Sequence, residues 1–285
     1  MKNLSLVIIN YNDVESTKKL IENTKDYKCL DFILIVDNHS TDDSVKQLKK
    51  LRSDKVRLLE NKENKGYAYG LNTGAKYIQK LNKNSDIIFS NSDVIIAEEQ
   101  DLLDLRKHLS DKQVVIGPTI VEGHHLNRGY RNSSITKEIL YNLPLISRYI
   151  IDKTRYYKEK HYKSDTSTVD FVSGCFFLIK GNILKDIGYF DENTFLYYEE
   201  NILGKKLESK KLQTIVDNKI VIIHEHSVTI DKNINKIRKQ KILKESQQYF
   251  VSKYLDANKI QLFLLKITRN IGLLSLKIRM FFKRK

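Results

Sequence analysis

The chain has 285 residues, of which 41% are apolar and 30% are charged, and its formal net charge is +15. This length and apolar content suffice for one large α/β domain or two modest ones, and they exclude a disordered protein. Its two cysteines, Cys29 and Cys175, lie far apart and belong to no CxxC motif, which excludes a disulfide framework and a cysteine-based zinc cluster and fits a reducing cytoplasm.

The positive charge is concentrated near the C-terminus. Fifteen Lys and Arg and two acids lie in residues 232–285, a net charge of +13, which leaves +2 for residues 1–231. The basic residues are not interleaved with aromatic residues and form no recognised reading module, so we expect no nucleic-acid partner, although a basic nucleic-acid-binding protein remains an alternative. The N-terminus has no signal-peptide pattern, and no run of about 18 uncharged apolar residues predicts a membrane span.

The first hundred residues alternate apolar runs of strand length with helical patterns. The strands are predicted at residues 4–10, 31–37, 55–60 and 86–90, and the helices at 14–25, 41–51 and 66–82. Ser40 or Thr41 is the predicted N-cap of the second helix. This alternation predicts a parallel, doubly wound sheet that binds its ligands beyond the carboxyl ends of the strands.

Polar side chains follow three of these four strands. They are Asn10-Tyr11-Asn12 after the first strand, Asp37-Asn38 after the second and Asn91-Ser92-Asp93 after the fourth. Each group alone could be an ordinary turn, because Asn, Asp and Ser favour turns. Three groups at one edge of a sheet predict a binding site instead.

The phosphate-binding signatures GxxxxGK[ST] and GxGxxG are absent, which argues against a P-loop enzyme and a dinucleotide-binding oxidoreductase. After the third strand, Gly66, Gly70 and Gly74 are spaced four residues apart, along one face of the predicted helix. This spacing predicts that the helix lies close on the sheet or that a ligand approaches its backbone.

The second half of the chain has a less regular pattern. A helix and a strand are predicted within residues 97–121, and a polar tract at 122–168 is long enough to predict a functional loop or lid. A further strand precedes the paired acids Glu199 and Glu200. Two short strands, "QTIVD" and "KIVIIHEHS", then end near His224, and the rest is predicted to be helical.

The chain resembles the family 2 glycosyltransferases, which are inverting nucleotide-sugar enzymes with a GT-A fold, and most closely their bacterial rhamnosyltransferase-like members. The resemblance rests on "VIINYN", "IVDNHSTDDS", "NKGYAYGLNTG", "FSNSDV", "VSGCFFLIKGNILKDIGYFDENTFLYYEE" and "IIHEHS". These motifs occur in the family's order and cover residues 4–230.

The resemblance implies an α/β fold of GT-A type, with a single Rossmann-like, mostly parallel sheet and flanking helices. It implies a catalytic domain at residues 1–230, divided into a nucleotide-binding half at 1–96 and an acceptor and catalytic half at 97–230, which contains the variable tract 122–168. Residues 231–285 are expected to form a basic, helical C-terminal extension.

The resemblance also assigns the ligand-binding residues. It places the nucleoside at a set of strand-end and glycine-rich positions, namely Asn10, Tyr11, Asp37, Gly66, Asn72 and Asn91. Asp93 is the expected ligand of Mn²⁺ or Mg²⁺, because hard cations prefer oxygen and a bound metal neutralises the leaving diphosphate. His224 is the expected second ligand and His226 a weaker candidate, although either could be an ordinary strand-end histidine.

The pair Glu199-Glu200 resembles the family's Glu-Asp pair, whose second member is the general base. We therefore expect Glu200 to take the proton of the acceptor hydroxyl, with Glu199 as the alternative. Ile202 stands where the family often has a further acid. The two acids could instead only complement a helix dipole.

The last 29 residues, 257–285, contain eight Lys or Arg and no acid. One helical face would carry Ile260, Phe263, Ile267, Ile271, Leu274, Ile278 and Phe281, and the opposite face Leu262, Leu265, Leu273 and Leu276. This pattern predicts a helix lying on an anionic membrane surface, or alternatively one that packs on the catalytic domain or on a second subunit as a homodimer.

The expected activity is the transfer of one sugar from a UDP- or dTDP-sugar to a saccharide acceptor, which we expect to be lipid-linked. The product would belong to a cell-surface polysaccharide such as a capsule, and the protein would act in the cytoplasm, peripherally on the inner face of the cell membrane. A catalytically silent, sugar-nucleotide-binding relative remains the first alternative, because Asn91 replaces a family Asp and Glu200 replaces another.

Overall fold

The structure is a computed structural model that describes residues 3–225 and 235–282. In chain order its elements are β1 (Leu4–Asn10), α1 (Val14–Thr24), β2 (Phe32–Asp37), α2 (Ser44–Leu48), a 3-10 turn (Lys49–Leu51), β3 (Val56–Glu60), α3 (Tyr67–Leu81), β4 (Asp86–Asn91), β5 (Val94–Ile95), α4 (Glu99–Lys107), β6 (Gln113–Glu122), β7 (His125–Asn127), α5 (Ile135–Leu140), α6 (Pro144–Arg155), a second 3-10 turn (Glu159–Tyr162), β8 (Thr166–Val169), β9 (Phe176–Ile179), α7 (Gly181–Asp186), α8 (Glu199–Ser209), β10 (Gln213–His224), α9 (Lys236–Tyr254) and α10 (Lys259–Phe282).

All of the strands belong to a single sheet, in the order β3-β2-β1-β4-β9-β6-β10-β5, with β7 paired to β6 and β8 paired to β10. The strands β1, β2, β3 and β4 are parallel, as the four apolar runs predict. Their carboxyl ends therefore meet at one edge of the sheet, where the polar residues after β1, β2 and β4 lie.

The second half of the sheet mixes strand directions. Among its described residues β6 and β10 pair in parallel, whereas β9 is antiparallel to both β4 and β6, and β5, β7 and β8 are also antiparallel to their neighbours. These antiparallel strands are two to four residues long. Runs this short have no pattern that reveals strand direction, since direction depends on how the chain returns to the sheet.

The two strands predicted near residues 213–227 are one continuous strand, β10. Its register against β6 shifts between Val216 and Val221. In this bulge the carboxylate of Asp217 accepts hydrogen bonds from the backbone N–H groups of Lys219 and Ile220, at 2.7 and 2.9 Å. The residues between the two predicted strands therefore form a β-bulge within one strand.

The predicted N-cap of the second helix is also wrong, because α2 begins later, at Ser44. Ser40 and Thr41 bind the segment after β1 instead. The Ser40 hydroxyl accepts a hydrogen bond from the N–H of Asn12 at 2.9 Å, and the N–H of Thr41 donates to Asn12 Oδ1 at 2.8 Å. These bonds join the loops after β1 and β2 at the open edge of the sheet.

Buried apolar layers cover both faces of the sheet. Along β1, Leu6 and Ile8 belong to one core cluster, and Val7 and Ile9 belong to the other. This two-sided burial explains why the parallel strands are continuous apolar runs. The helix α3 lies close on the sheet, since a Cβ at Gly74 would come within 2.5 Å of Val7 Cγ1.

The tract 122–168 contains folded elements rather than one long loop. It includes β7, α5, α6 and β8. The helix α5 begins after Ser134, whose hydroxyl accepts a hydrogen bond from the N–H of Lys137. The polar composition of the tract hid these short helices, of which α5 buries Glu138 and α6 has no buried residue in its described range.

The C-terminal extension is helical as predicted, and α9 and α10 pack on the rest of the chain. A third core cluster joins Ile202 of α8 to Phe250 and Val251 of α9 and to Leu265 of α10. The opposite face of α10 remains exposed and carries the seven predicted apolar residues, which are 40 to 71% exposed. Within the described ranges, no helix combines the length and the apolar content needed to cross a bilayer.

Candidate active site

A cavity of about 410 Å³, the first cavity, lies at the carboxyl ends of β1, β4, β6 and β10. Its lining combines strand-end residues with residues that precede α3 and α8. Of the site residues predicted from the sequence, it brings together Tyr11, Gly66, Asn91, Asp93, Glu199, Glu200 and His224.

Asp93 and His224 meet on one side of this cavity. Asp93 follows β4 and is 4% exposed, and His224 is the last residue of β10 and is 7% exposed. His224 Nε2 lies 3.1 Å from Asp93 Oδ1, while His224 Nδ1 lies 2.5 Å from Oε1 of Glu122 at the end of β6. The imidazole is therefore held between two carboxylates.

This arrangement suits a divalent cation. Burial lowers the pKa of His224, but hydrogen bonds with Asp93, Cys175 and Glu122 outweigh it and raise this pKa to about 12. The positive charge of a protonated imidazole would attract the two carboxylates. A metal ion bound at Nε2 would replace that proton and supply positive charge in its place. Asp93 Oδ1 is close enough to Nε2 to be a neighbouring ligand, and Glu122 would orient the imidazole through Nδ1.

Cys175 offers an additional ligand atom at the same place. The ligand atoms of Glu122, Cys175 and His224 all lie within 4.8 Å of one another. A thiolate favours soft metals, whereas carboxylate and diphosphate oxygens favour Mg²⁺ or Mn²⁺. The oxygen and imidazole donors fit a hard or borderline divalent cation, with Cys175 as a near neighbour.

Glu199 and Glu200 open α8 on another side of the first cavity. Glu199 is 5% exposed, and within the described part of the chain its Oε1 atom has no hydrogen-bond partner. Glu200 lies against Gly174, where a Cβ would come within 1.9 Å of Glu200 Oε1. The glycine therefore allows this carboxylate to approach the backbone of the "VSGCFFLI" segment.

Glu199 and Glu200 lie in different environments, which affect the pKa values of their carboxyl groups differently. Burial raises the pKa of both carboxyl groups, and the charge of Glu200 raises that of Glu199 further, to well above its usual value. For Glu200, backbone N–H groups, including that of Gly174, and the positive charge of Arg155 oppose the effect of burial. Glu199 therefore holds a proton more strongly, and Glu200 is the member of the pair available as an anionic base.

The two residues before this pair have strained backbones. Tyr197 and Tyr198 have φ angles of 74° and 73°, a region that tyrosine rarely adopts. The Tyr198 hydroxyl donates a 2.6 Å hydrogen bond to Glu138, and the ring packs on Phe250 of α9. Packing therefore sustains the strain that orients the start of α8 toward the cavity.

Three of the residues expected to contact the nucleoside line the first cavity. Tyr11 follows β1, and Gly66 precedes α3 with a φ of 109°. Asn91 Oδ1 accepts a hydrogen bond from the hydroxyl of Tyr67 at 2.9 Å, so its amide is held toward α3. The amide oxygen of Asn91 therefore already has a partner within the protein.

Three others, Asn10, Asp37 and Asn72, are not among the residues that line the first cavity, and their contact with the nucleoside stays a prediction. Asn10 and Asp37 are buried beneath this cavity, where Asn10 Nδ2 donates to Asp37 Oδ2 at 2.7 Å and Asp37 also accepts from Ser40. Asn72 donates to the Phe190 carbonyl at 2.9 Å and accepts from its N–H. Their polar atoms are engaged within the protein, so these residues support the site from below.

Three residues that the sequence patterns did not predict, Glu122, Tyr67 and Arg238, also line the first cavity. Glu122 is a polar residue at the end of a buried strand, so the rule applied to the other strand ends could have identified it. Arg238 on α9 is the only Lys or Arg lining this cavity within residues 3–225 and 235–282, and no sequence signal pointed to it. His226 lies outside the described residues.

Comparison with known proteins identifies relatives. Residues 5–188 match Glycosyl transferase family 2. The chain is also 28% identical over 205 residues to the low-salt glycan biosynthesis hexosyltransferase Agl10 of Haloferax volcanii. The match covers 70% of this chain and 60% of that relative, so it spans less than two thirds of the relative's length.

Solved structures share the fold. The mannosyltransferase PcManGT from Pyrobaculum calidifontis, in complex with GDP-Man and Mn²⁺, has a TM-score of 0.59 at 14% identity, with 95% of this chain and 72% of that chain covered. S. aureus TarS 1-349 in complex with UDP has a TM-score of 0.54 at 16% identity, with 88% and 72% covered. These matches establish a GT-A fold with a helical C-terminal segment, and the family match over residues 5–188 makes this chain a member of glycosyltransferase family 2.

Proposed function

We propose that the chain is a metal-dependent, inverting hexosyltransferase that moves one sugar from a UDP- or dTDP-sugar to a saccharide acceptor. The observation that carries this proposal is the position of Glu200, a carboxylate available as a base, in the same cavity as Asp93 and His224. The hexosyltransferase Agl10 and the nucleotide-sugar complex of PcManGT support it. The rhamnosyltransferase-like branch remains our more specific proposal.

The reaction follows from these positions. The acceptor hydroxyl oxygen forms a bond to the anomeric carbon, while the bond from that carbon to the diphosphate oxygen breaks and its electron pair leaves with the diphosphate. The hydroxyl proton passes to the Glu200 carboxylate. Attack from the face opposite the leaving group inverts the anomeric configuration.

Charge on the departing diphosphate has two sources of stabilisation in this proposal. Asp93 and the Nε2 atom of His224 would hold Mn²⁺ or Mg²⁺, and a bound divalent ion would act as a Lewis acid toward the diphosphate oxygens. Arg238 lines the same cavity and supplies a fixed positive charge. We assign nucleotide binding to residues 1–96, and acceptor binding and catalysis to residues 97–230.

The donor can be identified by thermal unfolding. We expect a UDP- or dTDP-sugar with Mn²⁺ to raise the melting temperature by about 5 °C at a hundredfold excess over Kd, because a ligand that binds only the folded state stabilises it. The free sugar and the nucleotide sugar with EDTA are the controls. A broad panel that produces no metal-dependent shift would contradict the proposal.

The acceptor is proposed to be lipid-linked, as in the synthesis of a cell-surface polysaccharide such as a capsule, and the protein to act peripherally on the inner face of the cell membrane. The exposed face of α10 supports membrane contact. Its apolar side chains, Ile260, Phe263, Ile267, Ile271, Leu274, Ile278 and Phe281, form one stripe, and the eight basic residues of 257–285 are accompanied by no acid. An apolar face with basic flanks suits an anionic bilayer surface.

Vesicle binding tests this contact. The fraction of protein that sediments with phosphatidylglycerol vesicles is expected to be at least about tenfold lower for the double variant Phe263→Glu, Ile267→Glu than for the native chain. Two apolar anchors are lost and two negative charges are added in this variant. Leu81→Glu changes an exposed leucine on α3 and is the matched control. If the stripe pairs with a second copy instead, light scattering will show a dimer that the double variant dissociates, and vesicle binding will be unchanged.

The two alternatives make different predictions. A silent relative would bind nucleotide sugars without hydrolysing or transferring them. A nucleic-acid-binding protein would bind oligonucleotides in a salt-sensitive manner that sugar nucleotides do not affect. Membership of glycosyltransferase family 2 argues against the nucleic-acid alternative.

A further inference from the structure

A second cavity of about 350 Å³ adjoins the first, and Glu200 lines both. The second cavity is enclosed by residues of the tract 122–168, by the start of α8 and by α9. A molecule bound there can reach the Glu200 carboxylate without entering the part of the first cavity where Asp93 and His224 lie. The second cavity is therefore the candidate position for the acceptor.

Three cations line this cavity without an ion pair. They are Arg131, Arg155 and Lys244, and none has a carboxylate within 4.0 Å in the portion of the chain that the structure describes. The Arg155 guanidinium lies over the ring of Tyr130, 5.1 Å from its centroid. Stacking on an aromatic ring positions a guanidinium while leaving its N–H groups available.

The acids of the cavity do not neutralise these cations. Glu138 is 2% exposed, and its carboxylate accepts hydrogen bonds from the Tyr198 hydroxyl at 2.6 Å and from Gln247 Nε2 at 2.7 Å. The other acid is Glu200, which the reaction requires as a base. Three cations and two carboxylates leave the cavity with a formal excess of one positive charge.

Lys244 is a partly buried cation of this cavity. Burial lowers the pKa of its ammonium group to about 8, and the more distant charge of Glu138 only partly opposes this effect. A buried cation without a partner is unfavourable, and an anion bound beside it would restore its charge. Tyr130, Tyr141 and Tyr197 supply aromatic surface in the same cavity, against which a sugar ring can pack.

We propose that the second cavity binds an anionic group of the acceptor saccharide, a carboxylate or a phosphate, through Arg155 and Lys244, and thereby brings the attacking hydroxyl to Glu200. This inference rests on the proposed function and deepens it by defining the chemical class of the acceptor. Arg131 at the cavity wall adds positive charge. The tract 122–168 then selects the acceptor through a charged group rather than through hydroxyl contacts alone.

The test compares binding of three probes to the full chain by calorimetry in metal-free buffer. The probes are methyl β-D-glucuronide, glucose 6-phosphate and the neutral methyl β-D-glucoside. Arg155→Gln and Lys244→Met are the test variants, and Arg148→Gln on α6 and Lys241→Met on α9 are exposed matched controls. Binding of UDP and dTDP, and donor hydrolysis by the native chain, are measured in parallel in buffer that contains Mn²⁺.

At least one anionic probe is expected to bind about tenfold more tightly than the neutral one, because a charge-assisted hydrogen bond contributes that much. Both test variants should lose this preference and keep their nucleotide affinity, and both controls should keep the preference. A response to the glucuronide alone identifies a carboxylate, and a response to the phosphate alone identifies a phosphate.

Two results would overturn the inference. Equal binding of charged and neutral probes would exclude an anion site, and so would an anion preference that survives in Arg155→Gln and Lys244→Met. A parallel loss of UDP or dTDP affinity in the test variants would reassign these cations to the donor. An Arg155-dependent preference in a native chain that hydrolyses no nucleotide sugar would support the anion site and overturn the proposed function instead.

Discussion

Glu200→Gln is expected to lower the rate of sugar transfer about 10³-fold, because it removes the base that accepts the proton of the attacking hydroxyl. Glu199→Gln is the matched control, since it changes the neighbouring acid in the same isosteric way. Burial and the charge of Glu200 raise the pKa of Glu199 well above its usual value, so we expect its variant to retain most of the native rate. Steady-state transfer to the acceptor, measured as release of the nucleoside diphosphate, distinguishes the two.

The pH profile checks the same assignment. Turnover by the native chain should fall as the pH drops through the pKa of Glu200, which burial raises above the usual value for glutamate. Burial raises the pKa of Glu199 as well, so the folded state loses stability as the pH rises above about 4.5, the value in the unfolded chain. Glu199→Gln should therefore melt at a higher temperature than the native chain at neutral pH.

A reversed result would identify Glu199 as the base. In that case Glu199→Gln would abolish transfer and Glu200→Gln would retain it. If both variants keep the native rate, the site assignment is wrong.

Removal of divalent metal with EDTA is expected to reduce transfer at least about 10²-fold, and added Mn²⁺ should restore it, because the departing diphosphate needs charge stabilisation. Asp93→Asn should cause a comparable loss that Mn²⁺ does not restore. Glu122→Gln should weaken metal affinity about 10- to 100-fold, as expected for a residue that orients a ligating imidazole.

Asp104→Asn is the control for these variants, since Asp104 is an exposed aspartate on α4 that pairs with Lys107. It should leave both metal affinity and turnover unchanged. Full activity in the presence of EDTA, together with native turnover by Asp93→Asn, would contradict a metal role for Asp93.

Most elements of the first hundred residues could be predicted to within a few residues, although the second helix begins later than predicted and β5 was not predicted. The runs at 4–10 and 55–60 correspond to β1 (Leu4–Asn10) and β3 (Val56–Glu60), because strands buried on both faces must be continuously apolar. The second half could not be predicted as well. The strand β9 has four residues, and its insertion between β4 and β6 depends on contacts distant in the sequence.

Some residues of the candidate site could likewise be predicted from the sequence, and others could not. The rule that polar residues cluster at the carboxyl ends of parallel strands identified Asp93, and the motif resemblance identified His224 and the pair Glu199-Glu200. The same rule placed Asn10 and Asp37 at the correct edge but could not reveal that they bond to each other beneath the cavity. Sequence patterns report which residues reach an edge and not which polar atoms are already engaged.

The sequence by itself determined the parallel strands of the first half, the acidic and imidazole groups of the candidate site, and the two faces of α10, because each depends on local periodicity or on a motif. Only the tertiary structure decided that Glu122 orients His224, that Arg155 and Lys244 face Glu200 across a second cavity, and that α10 packs through Leu265 while its other face stays exposed. These pairings join residues about 20 to 100 positions apart, and such contacts arise from the packing of whole elements, about which local patterns carry little information.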